Sequence, residues 1–228
     1  MTTLAQMGRV LVIAPHPDDE ILGCGGTMAR LLAAGHEVHV VVATTGRPPA
    51  FSAESVAKVQ GEMKAAHAFL GVTQTHVIDL PAAALDTVPA ATVNAEIGRI
   101  VDEVKPDTLF VPFYGDVHGD HQLVFTAALV AARPRHAHAP ANILAYETLS
   151  ETNWYAAPVT PAFVPTVYID IAQTLETKLD AFRQFESQVR PFPEERSVEA
   201  IEALARFRGS TVYCEAAEAF VNVRQILR

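Results

Sequence analysis

Short apolar runs alternate with helix-compatible segments along this 228-residue chain, and this alternation restricts its fold more than any other feature. Continuous apolar strands separated by helices are typical of parallel sheets covered on both faces. Strands are predicted at Arg9–Ala14, Glu37–Thr44, Thr75–Asp79, Thr108–Pro112, Asn142–Tyr146 and Val167–Asp170. Helices are predicted at Ile21–Ala34, Glu54–Leu70, Pro89–Val104, His121–Ala132, Ala172–Glu186 and Val198–Arg208. The sequence therefore predicts an α/β protein with a doubly wound, mostly parallel sheet and helices on both faces.

The composition is that of a chain able to bury a core. Half of the residues are hydrophobic and 19% are charged, whereas disordered chains lack apolar residues. No linker, repeat or low-complexity tract divides the sequence, so residues 1–228 are expected to form one domain. The glycines of GCGG (23–26) lack the GxGxxG spacing of a dinucleotide site, and close packing of a helix on the sheet explains them better.

Charge and cysteine content restrict the partners and the compartment. The net charge is −9, from 17 Lys+Arg and 26 Asp+Glu, which disfavours nucleic acid because its binding relies on a basic surface. The apolar runs are far shorter than the ~20 residues of a membrane-spanning helix, so no membrane partner is expected. Two cysteines without a CxxC motif, and a first segment without a signal-peptide pattern, indicate a cytoplasmic protein.

Two polar segments each follow directly after a predicted strand. They read HPDDE (16–20) and DVHGDH (116–121). Sites in open α/β sheets form at the carboxyl ends of the strands, so these distant segments are expected to converge there. Imidazole and carboxylate groups suit a divalent metal such as zinc, and the spare acids and histidines suit proton transfer. Pro17 fixes the backbone of the first turn.

Each segment alone also has a simpler explanation. Acidic residues at a helix start are favoured by the helix dipole, and an HxxH pair also arises by coincidence. Two such segments, each at the carboxyl end of a strand, are much less expected by chance. A metal site is therefore the preferred interpretation.

These residues resemble those of the PIG-L (LmbE-like) family of zinc-dependent N-deacetylases. The resemblance rests on the stretch APHPDDEILGCGGTMARLLAAGHEVHVVVATTG (14–46) together with DVHGDH downstream. It continues through YETLSETNW (146–154), FVPTVYIDIAQTLETKLDAFRQFESQ (163–188) and AEAF (217–220). The resemblance implies a Rossmann-like fold and hydrolysis of an N-acetylated amino sugar or its conjugate, of the N-acetylglucosamine type, to acetate and a free amine.

The family pattern also assigns roles by position. It implies that His16, Asp19 and His121 are the metal ligands, and that Asp18 is the general base that activates water. The metal implied is Zn²⁺, although two histidines and one aspartate also accept Fe²⁺, Mn²⁺ or Ni²⁺.

Two further positions match residues that act on the substrate carbonyl and the leaving group. His118 matches the histidine that stabilises the tetrahedral oxyanion, and Asp120 matches the carboxylate that orients it. Whether Asp18 or His118 protonates the leaving amine stays open. Homo-oligomers, including trimers and hexamers, are implied too, and the apolar-rich loop Trp154–Val167 is a candidate contact between subunits.

Three residues are candidates for substrate binding. Arg47, in the loop after the second strand, either contacts an anionic group of the substrate or is a solvated arginine. Asp116 either binds a sugar hydroxyl or supports its own loop, and Arg190 is expected at the rim of the pocket. The long loop Ser150–Pro165 is also expected to be functional, because loops of that length seldom lack a role.

One departure from the family pattern keeps other hypotheses open. The family often has a substrate-binding arginine two or three residues before a helix glutamate, but before Glu62 this chain has Val59 and Gln60. The alternative is thus a metal-dependent amidase that acts on a non-sugar N-acyl substrate. A third hypothesis, a nucleotide- or sugar-binding module without catalysis, predicts that the three ligand positions bind no metal.

Overall fold

A seven-stranded sheet forms the centre of the protein in the computed structural model, which describes residues 4–154 and 159–227. The strands are β1 (Val10–Ala14), β2 (Val38–Thr45), β3 (Gln74–Pro81), β4 (Thr108–Pro112), β5 (Asn142–Tyr146), β6 (Val167–Asp170) and β7 (Ala217–Gln225). Their order is β3-β2-β1-β4-β5-β7-β6. Strands β1 to β5 are parallel, whereas β7 runs antiparallel to both of its neighbours. The predicted mostly parallel α/β sheet is confirmed.

Helices cover both faces of this sheet. They are α1 (Asp19–Ala33), α2 (Ala53–Leu70), α3 (Ala90–Val104), α4 (Gly119–Ala131), α5 (Leu175–Arg183) and α6 (Val198–Ser210). Helices α1, α2, α5 and α6 pack on one face, and α3 and α4 pack on the other. Alternate residues of β1 enter the two cores, so its side chains are buried on both sides. Within the described ranges, no helix is both long enough and apolar enough to cross a membrane.

The strand order places the two polar segments side by side. Strand β1 pairs with β2 on one side and with β4 on the other. The chain adds β2 and β3 on the first side and then crosses over β1 to add β4 and β5 on the second. Such a topological switch point leaves a crevice at the carboxyl ends of the two strands. The HPDDE segment follows β1 and the DVHGDH segment follows β4, so both enter this crevice.

The element boundaries differ from the predicted ones where polar residues begin a helix. Helix α1 begins at Asp19 and α4 at Gly119, each two residues before the predicted start. Acidic side chains are favoured in a first helical turn, and apolar periodicity does not detect them there. Strand β7 was not predicted, and it closes the sheet between β5 and β6.

The predicted close packing of the GCGG glycines is confirmed. A Cβ atom on Gly23 would lie 2.2 Å from Cδ2 of Tyr146, and one on Gly26 would lie 2.7 Å from Cδ1 of Ile171. Both distances are far inside van der Waals contact, so α1 approaches the sheet and the β6–α5 connection only because these side chains are absent.

Candidate metal centre

The turn after β1 is held in place from two sides. The carbonyl of Pro15 accepts hydrogen bonds from both the backbone N–H (3.1 Å) and the hydroxyl (2.8 Å) of Thr44 on β2. The backbone N–H of His16 donates to the Asp19 carboxylate at 2.9 Å. The turn therefore presents its imidazole and carboxylate from a fixed backbone.

Asp18 has a strained backbone conformation within this turn. Its φ angle is 104°, in the left-handed region that non-glycine residues rarely adopt. Its N–H donates to Glu20 (3.2 Å), whose other carboxylate oxygen contacts Nε2 of buried His67 at 2.9 Å. Nδ1 of His67 in turn contacts the Thr75 hydroxyl at 2.7 Å. This buried chain from α2 and β3 helps hold Asp18 in its unusual conformation.

The second segment enters the site through the first turn of α4. His118 is the N-cap residue, and its Nδ1 accepts a hydrogen bond from the backbone N–H of Asp120 at 3.1 Å. Because Nδ1 is an acceptor, the ring proton of neutral His118 lies on Nε2. The ring of His118 lies 4.7 Å from that of His16 and 5.7 Å from that of His121, measured between centroids.

Three side chains from the two segments form a candidate ligand set. Nδ1 of His16 lies 3.4 Å from Oδ2 of Asp19, and Nε2 of His121 lies 3.3 Å from the same oxygen. A second group, formed by His16, His118 and Asp120, also brings its ligand atoms close together. The two groups share His16, so the site holds two alternative arrangements of metal ligands.

The hydrogen-bonding of the two aspartates favours the first group. The Asp120 carboxylate accepts from the backbone N–H groups of Ala83 (2.7 Å) and Leu85 (3.2 Å) and contacts Nε2 of His16 at 3.0 Å. By contrast, Oδ1 of Asp19 and Nε2 of His121 are buried and have no hydrogen-bond partner among the described residues. Buried polar atoms are nearly always paired, so these two atoms are suited to a ligand such as a metal ion.

Each imidazole of the first group is also backed by a carboxylate. Nε2 of His16 contacts Asp120 at 3.0 Å, and Nδ1 of His121 contacts the fully buried Asp116 at 2.8 Å. Asp116 is itself fixed by the hydroxyl of Thr152 at 2.5 Å. Carboxylates of this kind orient metal-binding histidines and leave the opposite ring nitrogen available to the ion. The donor set therefore fits a divalent metal.

The same carboxylates dominate the electrostatics of the histidines. Burial acts to lower the pKa of His121, but Asp19 and Asp116 outweigh it and raise that pKa to about 10. Burial also acts to lower the pKa of His16, but the carboxylates of Asp120 and Asp19, which accept hydrogen bonds from its ring, raise that pKa to about 9. Burial acts to raise the pKa of Asp19, yet the charges of the two histidines hold it well below its usual range. The site is thus built to hold positive charge.

Asp18 and His118 lie beside this cluster and have different environments. Burial raises the pKa of Asp18 to about 8, although the guanidinium of Arg196 opposes the shift. Arg196 donates to the Asp18 carboxylate at 3.0 Å and to the Ser150 hydroxyl at 2.9 Å. Burial and the neighbouring His16 lower the pKa of His118. A carboxyl group with a pKa near neutrality is suited to accepting and returning a proton.

A cavity of about 320 Å³ opens onto these residues. His16, Asp18 and His118 line one end, together with Glu151, Gln188 and Arg196. Residues of β2 and of the first half of α2 also line the cavity. The predicted functional loop Ser150–Pro165 contributes Glu151, while its residues 155–158 lie outside the described part of the chain.

The three residues predicted to bind substrate do not line the cavity in the described structure. Asp116 is fully buried behind His121, so it supports a ligand and is sealed from the cavity. Arg47 lies on Asp79 of β3, with a 3.0 Å ion pair and a 2.6 Å bond to its carbonyl, and it is a largely exposed arginine. Arg190 bonds the carbonyl of Ser187 at 2.9 Å on a different surface depression.

Asp120 makes further contacts besides those expected from its predicted role. Its carboxylate contacts His16 and two backbone N–H groups, whereas only its backbone N–H reaches the ring of His118. Its charge still acts to raise the pKa of His118. The physical reason is that the first turn of α4 aims the carboxylate inward, towards the turn after β1 and the Ala83–Leu85 loop.

Sequence reasoning missed Arg196, Glu20 and His67. Arg196 lies 178 residues from its partner Asp18, in an irregular loop, and no periodicity or motif marks it. Glu20 stands within the HPDDE segment, so that motif was a signal for it. His67 appears in the sequence as one of several helix histidines, and only the fold brings it against Glu20.

The fold and the site define a metal-dependent hydrolase: two carboxylate-backed histidines and an aspartate meet beside a buried acid at a sheet crevice. The chain belongs to the PIG-L family, whose model, described as GlcNAc-PI de-N-acetylase, matches residues 11–132. That stretch contains every predicted metal ligand as well as Asp18, His118 and Asp120.

Two relatives of this chain are named deacetylases, whereas the fold also occurs in an enzyme named for a different reaction. The chain is 32% identical to the uncharacterized deacetylase YaiS of Escherichia coli K12, over 78% of this chain and 90% of that protein. It is 28% identical to a diacetylchitobiose deacetylase of Thermococcus kodakarensis, over 82% and 71%. GalB, the 4-carboxy-2-hydroxymuconate hydratase of Pseudomonas putida, shares the fold with a TM-score of 0.75 at 18% identity, over 97% of this chain and 98% of that chain. Function must therefore be argued from the site.

Proposed function

We propose that this protein is a Zn²⁺-dependent N-deacetylase that removes the acetyl group from an N-acetylated amino sugar or its conjugate. The observation that carries this proposal is the pair of carboxylate-backed histidines, His16 with Asp120 and His121 with Asp116, around the Asp19 carboxylate. The names of the relatives support an N-acetylglucosamine-type substrate, since one acts on diacetylchitobiose.

His16, Asp19 and His121 would hold the metal ion in this proposal. Zn²⁺ supplies Lewis acidity: it polarises the amide carbonyl and acidifies water in its vicinity. The two backing carboxylates keep the imidazoles in the tautomers that present Nδ1 of His16 and Nε2 of His121 to the ion.

Asp18 acts as the general base. Its carboxylate lines the cavity next to the ligand set, and burial raises its pKa above that of a free aspartate, so its ionised form is a stronger base towards the attacking water. Attack on the amide carbon gives a tetrahedral intermediate with an anionic oxygen. The ion pair with Arg196 fixes the orientation of Asp18 during this step.

His118 stabilises the oxyanion. Nδ1 is occupied by the N–H of Asp120, so Nε2–H is the group that donates to the developing negative charge. A neutral imidazole keeps this proton, because the pKa of His118 is lowered by burial and by His16. Asp18 then returns its proton to the nitrogen, the C–N bond breaks, and acetate and a free amine leave.

Acetate release tests this proposal. Zinc-loaded protein is expected to release one acetate per amine from N-acetylglucosamine or diacetylchitobiose, and chelation should abolish the activity. Asp18→Asn is expected to lower kcat at least about a hundredfold while bound zinc stays unchanged. Asp79→Asn, which removes an exposed acid on β3, is the matched control and should keep full activity. Activity that survives both chelation and Asp18→Asn would overturn the proposal.

A non-sugar N-acyl amine is the second candidate substrate, and the apolar wall of the cavity favours it. Val59 faces the cavity on α2 at one of the positions where the family pattern often has arginine. A panel of N-acetylated amines that lack a sugar ring, assayed beside the sugars, separates the two candidates. Higher kcat/KM on the non-sugar panel would replace the sugar assignment.

We further propose that the protein is a cytoplasmic homo-oligomer with one domain. Cys24 and Cys214 are free thiols, as suits a reducing compartment. Exposed Trp154 and Val164, in the loop expected to lie between subunits, support self-association. One sheet connects the two described ranges, which supports a single domain.

A further inference from the structure

Helix α2 has one apolar stripe, of which one part packs in the core and the other part lines the cavity. Val56, Val59, Met63, Ala66 and Leu70 are spaced three, four, three and four residues apart, so they lie on the same side of the helix. The last three are buried in the core. Val56, Val59 and Met63 line the cavity, and the first two are only half-buried. The stripe therefore continues past the core to the wall of the cavity, where its first residues are only partly covered.

The surface that faces this stripe is apolar as well. Val42 within β2 and Val77 on β3 line the cavity, beside Thr44 and Thr45 of β2, and Val77 is 46% exposed although it sits in a strand. Phe51, before α2, completes the wall and is 37% exposed. Its ring lies against Gly46, where an added Cβ would come within 2.8 Å of the ring, so the loop after β2 is shaped to seat it.

The charged groups of the cavity lie together around the metal centre. Asp18, Glu151 and Arg196 lie there with the histidines of the metal centre. Along the apolar wall, α2 adds only Ser55 and Gln60 as polar side chains among the residues that line the cavity. A substrate covered entirely with hydroxyl groups would leave several of them unpaired against valine, methionine and phenylalanine, which costs free energy.

We propose that the substrate is an N-acetylated amino sugar with a hydrocarbon substituent on the sugar, and that this substituent binds between Val56, Val59, Val77 and Phe51. The inference rests on the proposed deacetylase function. Because the group removed in that function is acetyl, the hydrocarbon belongs to the amine product. The polar end of the cavity binds the sugar ring and the acetamide, and the apolar end selects the substituent.

A pair of glycosides tests this specificity. Zinc-loaded protein is assayed with the methyl and the hexyl β-glycosides of N-acetylglucosamine, below the micelle-forming concentration of the latter. Burial of the added methylene groups is expected to raise kcat/KM at least about tenfold for the hexyl compound. The gain should appear mainly in KM, since a remote substituent binds the ground state and the transition state alike.

Variants assign the effect to the wall. Val59→Ser and Val77→Ser are expected to reduce the ratio of hexyl to methyl kcat/KM at least about threefold each, through a higher KM for the hexyl compound. Val212→Thr changes a valine in the turn after α6 and is the control that should keep the ratio. Equal kcat/KM for the two glycosides in the original protein, or an unchanged ratio in both wall variants, would overturn the inference.

Two further measurements separate this inference from its alternatives. N-hexanoylglucosamine, compared with N-acetylglucosamine, tests whether the hydrocarbon lies on the acyl side instead. A preference for the longer acyl chain overturns the assignment to the sugar. Binding of both glycosides to the Asp18→Asn variant, measured by calorimetry, needs no turnover. Acetate release with no hexyl preference overturns this inference and leaves the deacetylase proposal intact. Tighter binding of the hexyl than of the methyl glycoside, with no acetate release from the original protein, overturns the deacetylase proposal and the assignment of the glycoside as a substrate.

Discussion

Two pairs of histidines in this protein have opposite electrostatics. Carboxylates in direct contact raise the pKa of His16 to about 9 and that of His121 to about 10. His39 and His76 lie nearer the amino ends of β2 and β3, and their rings stack with 6.0 Å between the centroids. Burial lowers the pKa of both, helped for His39 by the charge of His76.

The difference lies in the carboxylates rather than in the burial. Asp116 and Asp120 touch their histidines at 2.8 and 3.0 Å from inside the protein. The partners of the second pair, Glu37 and Glu103, are about half exposed and lie 3.8 and 4.0 Å away. Arg9 and Arg99 act further against protonation there. A histidine cluster thus becomes a candidate cation site only where the fold also brings carboxylates into the interior.

Removing the Asp19 carboxylate, which lies close to both His16 and His121, should have the largest effect. Asp19→Asn is expected to abolish stoichiometric zinc binding and to lower kcat/KM by about a thousandfold or more, because the metal loses its anionic ligand. His39→Gln, in the other pair, should keep both metal content and activity. Elemental analysis after dialysis and an acetate assay measure the two outcomes. Comparable losses in both variants would show that the two histidine pairs do not differ in function.

The backing carboxylates should have an intermediate effect. Asp116→Asn is expected to weaken zinc affinity about 10- to 100-fold, because His121 loses the group that fixes its ring and tautomer. Competition with a chromogenic chelator measures the affinity. Asp79→Asn removes the same charge from an exposed position and should leave the affinity unchanged. An Asp116→Asn protein with unaltered affinity would contradict the role assigned to this carboxylate.

His39 and His76 should affect how the free energy of unfolding depends on pH. The folded pKa of His39 and of His76 is lowered, so the unfolded chain binds more protons as the pH falls below about 6.5. Their contribution is therefore fully present above that pH and is lost as the pH falls through the folded pKa values. His39→Gln with His76→Gln should flatten the fall in free energy of unfolding between pH 7 and 5, measured in urea. A slope identical to that of the original protein would contradict the shifts.

The smallest effect is expected at Arg47. Its guanidinium pairs with Asp79 on the surface, and exposed ion pairs contribute little. Arg47→Ala should keep kcat/KM within about twofold on any accepted substrate. A large loss would restore the substrate-binding role that the sequence suggested for this residue.

Much of the fold was predictable because it depends on local patterns. The strand predictions at Thr108–Pro112, Asn142–Tyr146 and Val167–Asp170 agree with β4, β5 and β6 residue for residue. Strand β7 was missed, because AEAF gives way to the mixed sequence VNVRQ and its pairing partners lie far away along the chain. Local periodicity carries no information on such partners.

The site was predictable only as far as its motifs extend. HPDDE and DVHGDH contain all the candidate metal ligands together with Asp18 and His118, and they meet because both follow strands that the topology makes adjacent. The spacing of these residues does not show which role each of them has. The orientation of the Asp116 and Asp120 carboxylates and the approach of Arg196 depend on how α4 and a distant loop pack, so the sequence alone could not give them.

A crystal structure of the zinc-loaded protein, with anomalous data collected at the zinc edge, tests the central claim most directly. The account predicts one strong anomalous peak per chain, bonded to Nδ1 of His16, Nε2 of His121 and the Asp19 carboxylate, at ~2.0–2.2 Å from each. A peak between His16, His118 and Asp120, the alternative group in the same site, would contradict it. So would a peak between His39 and His76, since that pair has no carboxylate in direct contact.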